Sequence, residues 1–180
     1  MPGSGDGEAE ADLSDIAIPA GMLRITTCDT DETLATASGL FNQYRHRYGE
    51  PPDDDQRTLG WLTDMVRLRM LTVYTASVDS SAETPPIGLA TAHAIPASLA
   101  MGRYWQLRDL YVLPGSRRRG AAAALVGAVR EAALAAGATR LSLVTELDNH
   151  AALSLYRRLG FRPVEGLASL SLDLAHAIGE

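Results

Sequence analysis

The stretch LPGSRRRGAAAALV, residues 113–126, constrains the fold of this chain more than any other. A Pro-Gly-Ser turn follows an apolar segment, and the small residues behind the three arginines have high helix propensity up to Gly137, a suitable helix-ending glycine. The arginines therefore lie at a helix N-terminus, where the peptide dipoles already place about half a positive charge and the first N–H groups lack partners. A bound anion would resolve this conflict of charge.

An anion at this turn would be held by backbone N–H groups, by the helix dipole and by guanidinium charge together. Gly120 and the three alanines that follow it have almost no side chain to keep a phosphate away from the backbone. The sequence therefore predicts a polyphosphate site. The alternative interpretation is that Arg117, Arg118 and Arg119 form a solvated basic surface.

The charge balance limits what the turn could bind. The 180 residues are 46% hydrophobic and 21% charged without a membrane-length apolar run, which predicts one soluble globular domain. The net charge of -6 includes five acidic residues before Arg24, so about -1 remains for the rest of the chain. A nucleic-acid-binding module that uses the three arginines would need a broader basic face, so a small acidic ligand is favoured.

The N-terminal segment and the cysteine content suggest where the protein works. Residues 1–20 are rich in Gly, Ala, Ser and acidic residues and lack a secretory signal, which predicts a mobile acidic tail, a single domain over residues 21–180 and a cytoplasmic location. Cys28 is the only cysteine, so we expect no intrachain disulfide and no cysteine-based metal cluster, and we predict no metal site. All sixteen basic residues are arginine, which indicates a GC-rich bacterial genome.

Strand-like and helix-like segments alternate along the rest of the chain, in the predicted order β-α-α-β-β-β-α-β-α-β. The six predicted strands are MLRITTC, LTVYTASV, PIGLATAHAI, RYWQLRDLYVL, TRLSLVTEL and FRPVEGLASLSLDL. The four predicted helices begin at Asp29 or Thr30, at Asp53–Asp55, near Arg118, and at Asp148 or Asn149. Asp53–Asp55 would either cap the second helix or form an acidic lip that attracts a cationic substrate.

Two other phosphate-binding turns are excluded by the residues. A Walker A turn requires lysine, which the chain lacks, and the dinucleotide pattern G-x-G-x-x-G is absent at this turn.

Two motifs instead resemble the GCN5-related N-acetyltransferase (GNAT) superfamily. Its Arg/Gln-x-x-Gly-x-Gly/Ala pattern after a strand is matched by residues 117–122, and its second signature is matched by Asn149, Leu155-Tyr156 and Gly160-Phe161. The resemblance covers residues 22–174. Within the superfamily, the chain most resembles the small bacterial branch related to yeast histone acetyltransferase-like proteins. This looser match depends on the segments LFNQYRHRYG and MGRYWQLRDLYV.

The resemblance implies an α/β (α+β) GNAT fold, with a mixed, mostly antiparallel sheet of six to seven strands and four flanking helices. It implies acetyl-coenzyme A as cofactor and transfer of the acetyl group to a primary amine of a small molecule or peptide, by direct attack on the thioester. It also implies a homodimer that binds neither nucleic acid nor membrane. The alternative is a catalytically silent acyl-coenzyme A-binding regulatory module.

The same resemblance implies roles for individual residues. The pyrophosphate would lie on the amides from Arg118 to Ala123, main-chain groups around Leu110–Leu113 would receive the pantetheine, and an amide near Val112 would hold the oxyanion. Asn149 would contact the pantetheine arm, and Tyr156 would lie near the sulfur. The implied cofactor-binding residues are Leu110, Tyr111, Val112, Leu113, Arg117, Arg118, Arg119, Gly120, Ala121, Ala122, Ala123, Asn149 and Tyr156.

The general base is left open by the sequence. Relatives carry a glutamate at positions that fall on Val144 and Gln106 here, so no carboxylate stands at either. Asp109, Glu146 and His93 are the remaining candidates, and each also has an ordinary structural interpretation.

Tyr156 also has two interpretations. It is either the acid that protonates the leaving thiolate or a packing residue, because Ala152, Leu155, Tyr156 and Leu159 follow the spacing of a buried helix stripe.

Overall fold

The computed structural model describes residues 22–50, 55–78 and 84–174. The described residues form two compact units, divided between Val144 and Thr145. The predicted tail over residues 1–20 lies outside the described residues, so it stays a prediction, as does the single domain over residues 21–180. None of the helices within the described ranges has the length and apolar character needed to cross a membrane.

The first unit contains a mixed sheet and three helices. Three antiparallel pairings join the first four strands in sequence order, and the fifth strand pairs in parallel with the fourth. The sheet is therefore mostly antiparallel, as predicted. Its strands are β1 (Leu23–Cys28), β2 (Thr72–Val78), β3 (Gly88–Ala97), β4 (Gly102–Val112) and β5 (Leu141–Leu143), and its helices are α1 (Asp31–Arg47), α2 (Asp55–Arg67) and α3 (Ala121–Ala135).

The two faces of the sheet carry different helices. Alternate residues such as Val73, Leu89 and Tyr111 pack with buried residues of α1 and α2, among them Leu34 and Leu62. The opposite face carries small residues where α3 crosses it. A Cβ atom at Gly88 would lie 3.2 Å from Leu125 Cδ1 and 3.1 Å from the Tyr111 carbonyl oxygen, so α3 lies close to the strands there.

Strand β4 is irregular where it approaches its C-terminal end. Thr91 pairs with Asp109 and Ala92 pairs with Leu107, which leaves Arg108 as the extra residue of a β-bulge. Strand β5 pairs with β4 only at Trp105–Leu107. The end of β4 therefore extends past the pairing with β5, and its outer edge carries main-chain groups with no strand partner in the described part of the chain.

Local signals fix several element ends as predicted. Thr30 is the N-cap of α1 and forms a capping box with Thr33. Gly137 follows α3 with φ +70°. In the second unit, Asn149 caps α4 (His150–Arg158), and Gly160 ends it with φ +92°.

The predicted six to seven strands are wrong, since the described residues form five. The segment FRPVEGLASLSLDL contains no strand, and TRLSLVTEL supplies only Leu141–Leu143. Alternating leucines such as Leu170, Leu172 and Leu174 have the period of a strand, yet they are 92%, 83% and 62% exposed. Alternation shows only that a segment could pair, whereas a stable strand also needs a neighbour to supply hydrogen bonds.

Candidate active site

The turn with three arginines joins β4 to the N-terminus of α3. A short 3-10 turn at Pro114–Ser116 follows the strand, and the chain then takes left-handed conformations at Arg118 (φ +60°) and Gly120 (φ +93°). Gly120 is the N-cap of α3 and provides no side-chain cap. The first helical hydrogen bond runs from the Ala124 amide to the Gly120 carbonyl at 3.0 Å. The amides of residues 121–123 therefore stand ahead of the helix ladder, as an anion site requires.

Arg117 connects this turn to the strand before it. Its side-chain Nε donates a hydrogen bond of 3.1 Å to the carbonyl oxygen of Val112. Arg118 and Arg119 follow it in the chain, directly before Gly120 and the first residue of α3. Their role as a source of positive charge for an anion at this helix end stays a prediction.

The main chain at the end of β4 presents hydrogen-bonding groups to its outer edge. The Leu113 amide donates to the Ile87 carbonyl at 2.9 Å, on the side of β3. Because a trans peptide points its C=O and N–H in opposite directions, the Val112 carbonyl faces away from β3. In a strand the N–H of a residue lies on the same side as its carbonyl, so the Val112 amide also faces this edge.

Polar side chains gather on the sheet face that α1 and α2 cover. The pairs Thr91–Asp109 and His93–Gln106 stand opposite each other on β3 and β4, and they share this face with Leu89 and Tyr111. The hydroxyl of the fully buried Thr91 donates a short hydrogen bond to Asp109 Oδ2. The register therefore brings two of the three candidate bases, Asp109 and His93, onto one patch of the sheet.

His93 is held toward its neutral form. Burial lowers its pKa below the usual 6.5, and the nearby charge of Arg108 lowers it further, while a hydrogen bond with Gln106 and the charge of Asp109 act in the opposite direction. A neutral imidazole at pH 7 can accept a proton.

The other predicted catalytic residues belong to the second unit. Tyr156 is buried, with its ring in edge contact with Phe161 at a centroid distance of 5.7 Å. Asn149 Oδ1 accepts a hydrogen bond of 3.2 Å from the Ala152 amide, which makes it the N-cap of α4. Glu146 is exposed and accepts a hydrogen bond from Thr145. Val144, which stands where relatives have a glutamate base, belongs to the first unit, and its side chain is 77% exposed.

A cavity between α1 and α2 was not predicted from the sequence. It has a volume of about 380 Å³, and its lining residues are Phe41, Arg45, Glu50, Arg57, Thr58 and Trp61. The aromatic spacing of Phe41, Tyr44 and Tyr48, together with Trp61, was the available signal. Such spacing occurs equally in buried helix stripes, so it does not by itself indicate a binding cavity.

The acidic stretch at the start of α2 is only partly described. Asp55 is the first residue of α2 and accepts a hydrogen bond from Asn42 of α1. Thr58 donates to the same Asn42 side chain at 2.6 Å, so this network ties the two helices together. This contact agrees with a structural role for Asp55, while Asp53 and Asp54 lie outside the described residues. Among the described residues, no three His, Cys, Asp or Glu side chains form a metal-binding group.

Comparison with known proteins agrees with the fold and with the motifs. The chain is 29% identical over 152 residues to the uncharacterised N-acetyltransferase YhfO of Bacillus subtilis (strain 168), covering 84% of this chain and 98% of that protein. It is 31% identical over 136 residues to a "probable acetyltransferase" of Haemophilus influenzae, covering 74% and 88% of the two chains.

Solved structures share the architecture. The crystal structure of a probable acetyltransferase matches with a TM-score of 0.76 and 26% identity, over 84% of this chain and 98% of that one. AAC(6')-Iy in complex with a bisubstrate analogue, CoA-S-monomethyl-acetylneamine, matches with a TM-score of 0.68 at 21% identity, over 84% and 98% of the two chains, and so shows the fold alone. Residues 21–161 match the model of the acetyltransferase (GNAT) family, and the chain is an enzyme that belongs to that family.

Proposed function

We propose that this protein transfers the acetyl group of acetyl-coenzyme A to a primary amine by direct attack of the amine on the thioester. The observation that carries the proposal is the N-terminus of α3, where Gly120 provides no side-chain cap and three arginines precede the exposed end of the helix dipole. A polyphosphate supplies the acceptor groups and the negative charge that this helix end lacks.

The residues of the turn fit the coenzyme. Ala121, Ala122 and Ala123 allow a phosphate to approach their amides closely, and Arg118 and Arg119 add charge beside them. The outer edge of β4 at Leu110–Leu113 offers main-chain groups to the amide-containing pantetheine arm. The coenzyme, when bound, supplies the activated acetyl thioester.

The outward-facing amide of Val112 is the proposed donor to the carbonyl oxygen as negative charge develops on it. The peptide that carries this amide is held by the pairing of Tyr111 with Leu89. The next peptide is held by its hydrogen bonds with Ile87 and Arg117. A donor held in place in this way needs little reorganisation during the reaction.

Proton removal is the demanding part of the chemistry. An amine with a pKa near 10.4 costs roughly 4–5 kcal/mol to deprotonate at pH 7. We propose that Asp109 accepts this proton, directly or through water, on the face that it shares with neutral His93. Glu146 is the alternative carboxylate, and its exposed position gives it less influence over a bound amine.

Two residues of the second unit complete the proposal. The Tyr156 hydroxyl would donate a hydrogen bond to the departing thiolate, and the Asn149 side chain would contact the pantetheine arm. A homodimer is a further expectation that the family resemblance suggests, and a cytoplasmic location is one that the sequence suggests.

The test is thiol release from acetyl-coenzyme A in the presence of a broad panel of amines, with coenzyme binding measured separately. Turnover with at least one primary amine supports the proposal. The competing candidate is an acyl-coenzyme A-binding regulatory module, favoured by the absence of a carboxylate at Val144 and Gln106. Tight coenzyme binding without turnover across the whole panel would support that candidate instead.

A further inference from the structure

The cavity between α1 and α2 has the size and the mixed lining of a small-molecule site. Its volume of about 380 Å³ falls within the range of roughly 300–1,000 Å³ that is usual for ligand pockets. The cavity belongs entirely to the first unit, which also contains β4 and the turn proposed to bind phosphate.

The charges of the lining favour an anionic group. Arg45 and Arg57 contribute two guanidinium groups, and Glu50 contributes one carboxylate, at 3.9 Å from Arg45. The described lining therefore carries one net positive charge. The planar guanidinium group binds a carboxylate through two parallel hydrogen bonds, which gives both energy and orientation.

The remaining walls favour an apolar or aromatic body on the ligand. Phe41 and Trp61 stack with their centroids 5.5 Å apart and their rings inclined by 23°. Phe41 is buried, whereas Trp61 is 44% exposed although it is a large aromatic residue. An indole face at the edge of a cavity gains contact area when a flat or apolar ligand covers it.

A series of ring contacts connects this cavity to strand β4. Trp61 stacks on Phe41, Phe41 lies 5.8 Å from Tyr44, and Tyr44 lies 6.0 Å from Tyr111. Tyr111 lies in the part of β4 proposed to receive the pantetheine, and it shares a sheet face with Asp109. A ligand in the cavity would thus lie on the same side of the sheet as the proposed proton acceptor.

We infer that the cavity binds the acetyl acceptor and selects an amine that also carries a carboxylate and an apolar body, as an apolar amino acid does. Arg45 and Arg57 hold the carboxylate, and Trp61 covers the apolar body. This inference rests on the proposed function. In the reaction the amine nitrogen bonds to the acetyl carbon as the carbon–sulfur bond breaks. Of the two protons that leave the ammonium group, one goes to the thiolate and one to solvent.

Matched pairs of acceptors test the selection directly. L-Phenylalanine and 2-phenylethylamine, or L-leucine and 3-methylbutylamine, differ by the carboxylate, which also lowers the pKa of the amine, so the rates are compared at equal concentrations of neutral amine. We expect kcat/KM for thiol release to be about 10- to 100-fold higher for the acid of each pair, the effect typical of one charge-assisted hydrogen bond. An equal or higher rate with the decarboxylated amines would overturn the inference and leave the proposed function standing.

Variants on one helix provide the control. Arg57→Gln should reduce the preference for the amino acid over its decarboxylated amine by about tenfold or more. Arg67→Gln should leave this preference unchanged, because Arg67 lies outside the cavity lining and pairs with Asp31 at 3.7 Å. Equal preferences in the two variants would contradict the assignment of the carboxylate to this cavity.

A binding measurement separates failure of this inference from failure of the proposed function. Trp61 and the buried Trp105 are the only tryptophans, so 3-phenylpropanoate, which has a carboxylate and a ring but no amine, should change the fluorescence of Trp61. The change should persist in Trp105→Phe and be lost in Trp61→Phe. If no amine is acetylated but this change is seen, the proposed function fails and the cavity's ligand class stands. If neither 3-phenylpropanoate nor the amino acids change the fluorescence, the inference fails.

Discussion

Arg117 Nε donates a hydrogen bond of 3.1 Å to the main-chain carbonyl of Val112, so the first of the three arginines fixes the end of β4. The three consecutive arginines are thus not equivalent in the turn. Arg117 ties the turn to the strand, and Arg118 and Arg119 remain the proposed contributors of charge to the phosphates. The same contact fixes the peptide that follows Val112. The N–H of Val112, in the preceding peptide, is the proposed oxyanion donor.

Coenzyme A should stabilise the protein through this turn. A ligand that binds only the folded state adds about 2.7 kcal/mol to the free energy of unfolding at one hundred times its Kd, which raises the melting temperature. Arg117→Met, which leaves no donor for the Val112 carbonyl, should lower the stability of the free protein by about 1–3 kcal/mol and reduce the shift caused by coenzyme A, because the strand end is no longer held. Differential scanning fluorimetry measures both effects, with the exposed Arg130→Met as control. A wild-type protein that shows no shift at millimolar coenzyme A would refute the assignment of the turn.

Two glycines of the α3 region should respond in opposite ways to alanine. Gly120 has φ +93°, so Gly120→Ala should destabilise by about 1–2 kcal/mol from backbone strain and should weaken coenzyme binding. Gly127 lies inside α3 with nothing within 4 Å of an added Cβ, so Gly127→Ala should stabilise by up to about 1 kcal/mol. Urea denaturation and calorimetric titration with coenzyme A measure the two properties. Normal coenzyme affinity in folded Gly120→Ala would speak against this backbone as the phosphate site.

The predictable parts of this molecule are those encoded locally. The cap at Thr30, the glycine stop at Gly137 and the turn before α3 each depend on residues within a few positions of one another, and the structure has them where the sequence indicates. The apolar and β-branched character of their segments also locates the first four strands, because helices that the same chain supplies bury many of these residues.

The parts that sequence reasoning missed depend on distant partners. The bulge at Arg108 follows from the register between β3 and β4, and no residue near Arg108 in the sequence predicts the extra residue in β4. The hydrogen bond of Asp109 comes from Thr91, eighteen residues away, so the sequence could not distinguish a structural from a chemical role. The cavity likewise requires two helices to pack at a particular distance, which periodicity does not specify.

The lowered pKa of His93 predicts how stability depends on pH. Because the folded state binds this proton more weakly than the unfolded state, the stabilising contribution is complete above pH 6.5 and is lost as the pH falls through the folded pKa. His93→Gln should therefore lose less stability than the wild type between pH 7 and pH 5. Urea midpoints measured across this range provide the comparison. A parallel decline in both proteins would mean that His93 contributes nothing to the acid sensitivity.

Asp109→Asn should separate the candidate bases. The asparagine oxygen can still accept the Thr91 hydrogen bond, so the variant should fold, but it cannot take a proton from the amine. We expect kcat to fall by about 10²–10⁴, the usual contribution of a general base, while coenzyme affinity is unchanged. Glu146→Gln, which changes an exposed carboxylate in the same way, should have kinetics close to those of the wild type. The reverse pattern would transfer the role of base to Glu146.

Tyr156→Phe tests whether the hydroxyl of this buried tyrosine takes part in the reaction. The ring contact with Phe161 at 5.7 Å does not need the hydroxyl, so packing of α4 should be retained. A phenol near pKa 10 is a weaker acid than a thiol near 8.5, so complete proton transfer to the thiolate would be uphill by about 1.5 pKa units. A hydrogen bond that strengthens as charge develops on the sulfur avoids that cost. We therefore expect unchanged melting temperature and coenzyme affinity, with kcat reduced by about 10²–10⁴. Normal turnover in a stably folded phenylalanine variant would leave Tyr156 as a packing residue and assign protonation of the thiolate to water.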